Sequence, residues 1–555
     1  MKQIIECVPN ISEGRDENII REVSQIVETV EGVRLLDVDP GKATNRTVIT
    51  FVGEPDPVIE AAFLLIEKAS QLIDMGKHSG EHPRFGATDV CPLIPISGIT
   101  MEETAQFAHK LGKRVGADLK IPIYFYENAA TEEKRRNLAT VRAGQYEGLP
   151  KKLADPDWKP DAGPAEFNSR SGATAISARD FLVAYNVNLN TTSSRRANAI
   201  AFDVREAGRV KKTDGVIQRD ENGDAIRVPG VLKAVKGIGW YIEEYGICQI
   251  SMNLTNINIT SIHEAFEATR ESANRRGMRG TGSELVGLVP KQAMLDAGEY
   301  FLKKQQRSVG VSDQEKIKIA VKSLGLDDLA PFDPRKNIIE YVMQDDSSEP
   351  LLQMNLRAFA DETASESMAP GGGSISAYVG ALGVSLGTMV ANLSSHKRGW
   401  DDRWEEFSDW AAKGQDFKDQ LLALVDEDTN AFNLIIDAFR MPKSTDAEKK
   451  ARQAAIDAAT RNAIEVPFRV MQVSLESMDV MKGMAEHGNP ASASDSGVGA
   501  LCARTAVRGA FLNVKINTAD LDDEAYVNEK LTAGQKMVEQ ADALESEILN
   551  IVDAK

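Results

Sequence analysis

Cysteine and histidine are scarce in this chain of 555 residues, which has four of the first and six of the second. Cys7, Cys91, Cys248 and Cys502 are spread along the length with no CxxC pair. That spacing argues against a disulfide framework and a cysteine-based zinc site. No metal is expected, and the four thiols are expected to be reduced and in the core. Positive charge is also short, with 65 Lys and Arg against 83 Asp and Glu and a net charge of -18. A nucleic-acid partner would need a basic face to neutralise phosphates, so none is expected; a local basic pocket for a carboxylate-bearing substrate is still compatible with the acidic average. Met1-Lys2-Gln3 leads into a short strand-like run rather than the apolar stretch of a signal peptide, so the expected location is cytoplasmic. The one long uncharged run, Ile375 to Leu393, is rich in Gly, Ala and Ser and contains Gly380, Gly383 and Gly387. A membrane span would use more Leu, Ile and Phe, so no membrane partner is expected. Small residues four apart suit a buried helix packed close to a neighbour.

The length exceeds what one hydrophobic core serves, so two or three domains are expected. In the first part strands and helices alternate. Residues 4–8, 33–38, 46–52, 90–96 and 121–126 read as strands, and 17–30, 58–73 and 101–115 as helices. A similar order restarts with strands at 181–188, 231–240, 248–254 and 285–289 and helices at 195–206 and 262–275. The expected fold class is therefore multidomain: two α+β subdomains of β-α-β-β-α-β type, each with helices on one sheet face, followed by an all-α helical bundle. The expected boundaries are 1–180 and 181–330 for the subdomains, 331–350 for a linker marked by Pro331, Pro334 and the polar run to Pro350, and 351–555 for the bundle. The polar stretch Lys211 to Pro229 reads as an inserted loop with no assigned role.

Lys77-His78-Ser79-Gly80-Glu81-His82-Pro83-Arg84-Phe85-Gly86-Ala87-Thr88-Asp89 is the densest polar constellation of the first part. Two of the six histidines fall within five positions there, in a Gly/Pro-punctuated loop that feeds a buried strand. Histidine suits proton transfer at neutral pH, although such loops often only hydrogen-bond backbone. Asn10, Asp39, Asn45 and Arg46 lie at strand ends, where α/β sites gather and where turn residues also occur. Gly163-Pro164-Ala165-Glu166-Phe167-Asn168-Ser169-Arg170-Ser171-Gly172 joins the two α/β units; its glycines permit close backbone approach, and a plain interdomain turn is the alternative.

In the last part Gly371-Gly372-Gly373 precede the uncharged helix, where free amides favour anions. Leu421, Leu424, Val425, Phe432, Ile435 and Phe439 recur at helical spacing, with Asp428 on the stripe and Asp426 off it. A carboxylate on a buried stripe is costly unless it is paired, protonated or used, and its pKa should rise. Asn489 and Asp495 head a further helix and are either caps or site members.

Cys7-Val8-Pro9-Asn10-Ile11-Ser12-Glu13-Gly14, Thr44-Asn45-Arg46-Thr47, Gly80-Glu81-His82-Pro83-Arg84, Val235-Lys236-Gly237-Ile238-Gly239-Trp240-Tyr241 and Gly287-Leu288-Val289-Pro290 resemble glutamate formimidoyltransferases. Pro370-Gly371-Gly372-Gly373-Ser374 and Leu424-Val425-Asp426-Glu427-Asp428 resemble formimidoyltetrahydrofolate cyclodeaminases. Together they are similar to the bifunctional formimidoyltransferase-cyclodeaminase family of histidine breakdown and one-carbon metabolism. The resemblance implies His82 as the transferase acid/base, residues 163–172 as the folate segment, and Asp428 as the cyclodeaminase carboxylate. It further implies formiminoglutamate and tetrahydrofolate, with or without a polyglutamate tail, as substrates, no tightly bound cofactor, and a homo-oligomer. The middle of the folate segment, Ala165 to Arg170, is unlike that of the family's animal enzymes. Formyl transfer, or a folate-binding assembly protein with one inactive half, are the alternatives.

Overall fold

The computed structural model describes residues 3–41, 45–79, 84–344, 349–519 and 521–555. An N-terminal region of mixed sheet and helix is followed by a helix-rich region. By packing, the chain divides into two compact units, one running to Ala293 and including Leu324–Met343, the other combining Met294–Ser323 with Gln344–Lys555.

Among the described residues, the first unit contains two main sheets and two two-stranded ladders. Seven strands form the first: β1 Ile4–Cys7, β2 Asn10–Ile11, β3 Val33–Gly41, β4 Arg46–Gly53, β5 Thr88–Ser97, β6 Ile123–Glu127 and β7 Thr174–Ala178. β1 and β2 act as one strand interrupted at Val8-Pro9, lying between β4 and β5, with β3 outside β4. β7 and β6 continue the sheet in parallel. The helices Pro55–Leu72 and Met101–Asp118 cover one face, burying Ile5, Phe51, Leu65, Leu93, Val115 and Ile123. The second of these helices is set by Thr100 and Glu103, which cap each other's backbone reciprocally.

Helices were expected on one sheet face only. The short helices Leu138–Val141 and Gln145–Ala154 pack Val141, Leu149 and Leu153 onto the other face, against Val90, Tyr124, Tyr126 and Ala175. The parallel strands are thereby buried on both sides, as parallel sheet requires. Glu6 is also buried, and desolvation pushes its carboxyl up to about 7 against the pull of Arg179. Cys7, Cys91 and Cys248 are buried free thiols, whereas Cys502, expected in the core, is half-buried.

β8 Val183–Leu189 opens the second sheet. Two small ladders follow, pairing β9 Arg209–Val210 with β12 Arg227–Val228 and β10 Lys212–Thr213 with β11 Val216–Ile217; they carry the inserted stretch out with Val216 and Val228 exposed. β13 Val235–Ile242, β14 Ile247–Leu254, β8 and β15 Gly280–Val286 then form an antiparallel sheet in that order. Gly239 lets the helix Ser194–Val204 lie directly on β13: a Cβ there would stand 2.3 Å from the carbonyl carbon of Ala197. The space is used by Asn198, which donates from Nδ2 to the Gly239 carbonyl at 2.7 Å.

The expected linker 331–350 needs correction. Pro334–Asn337 and Ile339–Val342 are helical, Ile338 and Ile339 are fully buried, and the Val289 N–H donates to the Asn337 carbonyl at 2.9 Å. Residues 294–323, expected in the second subdomain, pack with the helical unit instead: the Val309 N–H donates to Ser408 Oγ at 3.0 Å and Asn392 Nδ2 to the Gly310 carbonyl at 2.8 Å. Proline and charge made the stretch read as a free connection, but its two isoleucines fill the space beside Val289.

In the helical unit, five long helices, Gly372–Ser395, Trp404–Arg440, Asp446–His487, Ala493–Thr518 and Glu524–Asp553, share one core. The first is, among the described residues, the one helix long and apolar enough to cross a membrane, and 61% of its most apolar window is buried inside the unit. Its glycines meet the neighbouring helices directly; a Cβ at Gly383 would stand 2.8 Å from the Gly499 carbonyl oxygen.

These contacts set where the first unit ends. A chain stopped at Asp328 exposes the pocket filled by Ile338 and Ile339, each contributing about 1.5–3 kcal/mol of burial. It is expected to melt below a chain stopped at Met343; equal melting temperatures by calorimetry would show that 334–342 contribute nothing.

Candidate functional site

Two polar sites stand out, one in each unit. In the first, the β5 strand carries a bulge: Asn10 faces Val90 and Ile11 faces Thr88, leaving Asp89 as the extra residue. Bulges re-aim side chains, and here Asp89 turns back over the preceding loop. Its Oδ1 accepts the Phe85 N–H at 2.8 Å, and its Oδ2 accepts Arg142 Nη1 at 2.5 Å with Arg46 Nη1 at 3.8 Å. Arg46 also donates through Nε to Asn10 Oδ1 at 2.9 Å. Burial lowers the pKa of the Arg46 guanidinium, Asp89 opposes that, and the like charge of Arg142 adds to it.

The same loop is tied down on its other side. Asn45 Nδ2 donates to the Ser79 carbonyl at 3.0 Å, the Asn45 carbonyl meets His78 Nε2 at 2.8 Å, and Arg84 Nη2 pairs with Glu147 at 2.5 Å. Asn10, Asn45, Arg46 and Arg84 are therefore brought together with the described flanks of the histidine loop, 77–79 and 84–89; His82 itself, with Gly80, Glu81 and Pro83, lies outside the described residues. Asp39 is exposed on β3 opposite Val48 and, among the described residues, makes no hydrogen bond or ion pair to this cluster. Asp89 closes the polar constellation 77–89 without an expected role, and Arg142 lies outside it. Arg142 follows a four-residue helix in a stretch without a motif, and only the fold carries it to Asp89. Lys152 fixes that helix end through the Thr140 carbonyl at 3.4 Å and the Val141 carbonyl, and burial lowers its ammonium to about 8.

The expected folate segment runs along this loop. Ala87 N–H donates to the Ser171 carbonyl at 2.8 Å, Ala173 N–H to the Phe85 carbonyl at 3.1 Å, and Tyr146 Oη to the Ser169 carbonyl at 2.5 Å. Gly172 has φ of 67° and no room for a side chain, since a Cβ would be 2.4 Å from the Phe85 oxygen. Asn168 Oδ1 ties the turn through the Ser171 N–H at 2.9 Å, and Arg170 Nε holds the Ser70 carbonyl at 3.2 Å. Ala165, Glu166 and Phe167 stay exposed, with the Phe167 ring 5.4 Å from that of Tyr146.

The second site lies at the head of the helix Gly372–Ser395, where Gly371 is the N-cap. Asp428 Oδ2 accepts the Ser374 N–H at 2.8 Å and Ser374 Oγ at 3.1 Å. A Cβ on Gly373 would fall 2.1 Å from Asp428 Oδ1, and one on Gly372 3.2 Å from Asn513 Nδ2. The glycine run is thus the space the carboxylate and an amide need. Burial raises the Asp428 carboxyl above its ordinary value, and the two Ser374 bonds only partly offset this. Asn489 and Asp495 are not here. The Asn489 N–H bonds Ser394 Oγ, twenty residues along the glycine-headed helix from Ser374, or about 30 Å. Asp495 precedes Asn513 by eighteen residues of one helix, about 27 Å. Asn513, not in the expected site, takes their place.

The buried face of this helix differs from the expected stripe. Asp426, expected off the stripe, is the buried carboxylate at 3% exposure, and Asp428, expected on it, is half-buried. Asp426 accepts the N–H groups of Leu351 and Leu352 at 2.9 and 3.2 Å, so a preceding chain segment covers it rather than a helix neighbour. Phe432 and Phe439 are exposed; Ala431 and Ala438 carry the buried face onward. The stripe follows small residues one position away from the large ones.

The two carboxylates should therefore respond differently to neutralisation. Asp426→Asn loses charge-assisted bonds to buried amides and is expected to destabilise by about 1.5–3 kcal/mol. Asp428 behaves oppositely. Its folded pKa is raised, so the folded chain holds a proton that the unfolded chain releases, and this group's contribution to stability falls as pH climbs above 3.8. Asp428→Asn should remove that slope and melt no lower than wild type at neutral pH. Melting curves on both variants across pH check this; a larger loss in Asp428→Asn would contradict it.

Family models match nearly the whole chain: a formiminotransferase domain N-terminal subdomain over residues 4–179, a formiminotransferase domain over 184–344, and formiminotransferase-cyclodeaminase over 355–553. The formimidoyltransferase-cyclodeaminase of Gallus gallus is 42% identical over 98% of this chain and 97% of its own length. The glutamate formimidoyltransferase of Streptococcus pyogenes serotype M1 is 41% identical over 54% of this chain and 94% of its own. The methenyltetrahydrofolate cyclohydrolase of Methylorubrum extorquens is 34% identical over 36% of this chain and 96% of its own. This chain belongs to the formimidoyltransferase-cyclodeaminase family.

Proposed function

We propose that the chain transfers the formimino group of N-formimino-L-glutamate to tetrahydrofolate and then closes 5-formiminotetrahydrofolate to 5,10-methenyltetrahydrofolate with release of ammonia. The observation that carries this reading is Asp428, a carboxylate of raised pKa held by the amide and hydroxyl of Ser374 at the head of a glycine-started helix, in a unit separate from the arginine cluster around Asp89. The relatives support it from both sides: one named a glutamate formimidoyltransferase matches 54% of the chain, and one named for the methenyl bridge of tetrahydrofolate matches 36%.

In the first unit, N5 of tetrahydrofolate attacks the formimino carbon to give a tetrahedral adduct. The adduct collapses forward only when the departing glutamate nitrogen takes a proton, which is the role of His82. The segment 163–172, pinned beside the same loop with its middle exposed, holds the folate, and positioning of the two reactants lowers the remaining barrier. In the helical unit, N10 closes on the same carbon and ammonia departs. A carboxyl whose pKa burial has raised can take the N10 proton and pass one to the leaving nitrogen, and that is the role of Asp428. Tetrahydrofolate acts as co-substrate, and the location is cytoplasmic. A homo-oligomer accords with the exposed Leu382, Met389 and Leu393 on one side of the glycine-headed helix.

The full-length protein, supplied with formiminoglutamate and tetrahydrofolate, should form methenyltetrahydrofolate and one ammonia per turnover. His82→Ala should abolish transfer yet still cyclise supplied formiminotetrahydrofolate, and Asp428→Asn should let that intermediate accumulate. Loss of both activities in a well-folded His82→Ala protein would contradict the two-site reading.

A further inference from the structure

Two guanidinium groups converge on one carboxylate that also holds the Phe85 N–H. Arg142 Nη1 is 2.5 Å and Arg46 Nη1 3.8 Å from the same oxygen of Asp89, whose other oxygen is taken by the Phe85 N–H. Arg84, the third arginine of the cluster, is balanced by Glu147. Arg46 and Arg142 are like charges at mostly buried positions, with 17% of each side chain exposed, and Arg142 lowers the pKa of the Arg46 guanidinium; an anion bound beside Asp89 relieves that repulsion.

The two arginines differ in how they are engaged. Arg46 is committed to Asn10 through two nitrogens. Arg142 makes its one side-chain hydrogen bond among the described residues to Asp89, leaving further N–H donors of its planar fork without a protein acceptor there. Its backbone is held in place by the helix end that Lys152 caps. The preference of a guanidinium for carboxylates by paired N–H donation suits it to a substrate acid.

We propose that Arg142, seated against Asp89 beside Arg46, binds a carboxylate of the glutamate moiety of the formimino donor and selects acidic donors over neutral ones. This rests on formiminoglutamate being the donor. That substrate has two carboxylates that transfer leaves unchanged, and its α-carboxylate shares a carbon with the formimino nitrogen. Anchoring the one therefore orients the other, and Asp89 simultaneously fixes Phe85, three residues after His82. Asp89 acts as the positioning residue: it holds the Arg142 fork and the loop in one arrangement.

Arg142→Gln and Arg142→Lys in the full chain test this, with Michaelis constants for both substrates and the melting shift produced by L-glutamate, the transfer product, as probe. Arg142→Gln is expected to raise KM for formiminoglutamate by about tenfold or more while KM for tetrahydrofolate changes less than about twofold, and to abolish the glutamate-induced shift; Arg142→Lys should fall between. A merely structural role predicts that both Michaelis constants and the unliganded melting temperature move together, and that outcome would overturn the proposal, as would a donor KM and glutamate shift left at wild-type values. If wild type transfers nothing from formiminoglutamate, the donor reading fails by itself. The glutamate shift and its loss in Arg142→Gln then still decide the carboxylate site.

Discussion

Asp428 and the head of the glycine-started helix occupy each other's space. The Ser374 amide and hydroxyl both point at one carboxylate oxygen, and the other oxygen stands where a side chain at residue 373 would have to be. Amides at a helix start stabilise the charged carboxylate, whereas burial favours the protonated one. At Asp428 burial is the larger effect, and the carboxyl titrates above its ordinary range. A group balanced in this way can exchange a proton more readily than an ordinary carboxylate without leaving its position. The small residues further along the helix serve the same end. Gly380, Gly383 and Gly387 bring the helix close to its neighbours, which fixes where the helix begins and hence where Ser374 points.

The first unit solves a related problem with a bulge. One extra residue in β5 turns Asp89 out of the strand's alternation, so that it organises the loop behind it and two arginines in front. Both units therefore use a backbone irregularity that the flanking regular structure makes affordable, a bulge in a seven-stranded sheet and a run of glycines before a long helix. In each, the acidic side chain is fixed by backbone amides, which leaves its remaining capacity for chemistry or for other side chains.

Much of this was legible in the residues. Short apolar runs alternating with amphipathic stretches marked the sheet-and-helix part, and long helical periods marked the bundle. Asn10, Asn45, Arg46 and Arg84 lay at strand ends or in the histidine loop, and the structure gathers them. What was illegible has physical causes. β7, Thr174–Ala178, is made of small residues without strand alternation and is buried on both faces. The supposed linker holds two isoleucines whose partner, Val289, is remote in sequence. On the Trp404–Arg440 helix the large residues Phe432 and Phe439 suggest a stripe, whereas the buried face runs through Ala431 and Ala438. Asp426 is covered by the segment at Leu351, which its own helix does not reveal. Arg142 carries no local signal, because its role depends on a side chain more than fifty residues away.

The direct test is to fill the space that Asp428 uses. Gly373→Ala adds a single methyl group at a position where the backbone is helical, and alanine favours the helix by about 1 kcal/mol, so the unit should fold. The methyl displaces the carboxylate from the Ser374 amide. The expected result is loss of ammonia release from supplied formiminotetrahydrofolate, with formimino transfer from formiminoglutamate unchanged. Ammonia release at the wild-type rate in Gly373→Ala would show that the seat of Asp428 is not where the ring closes.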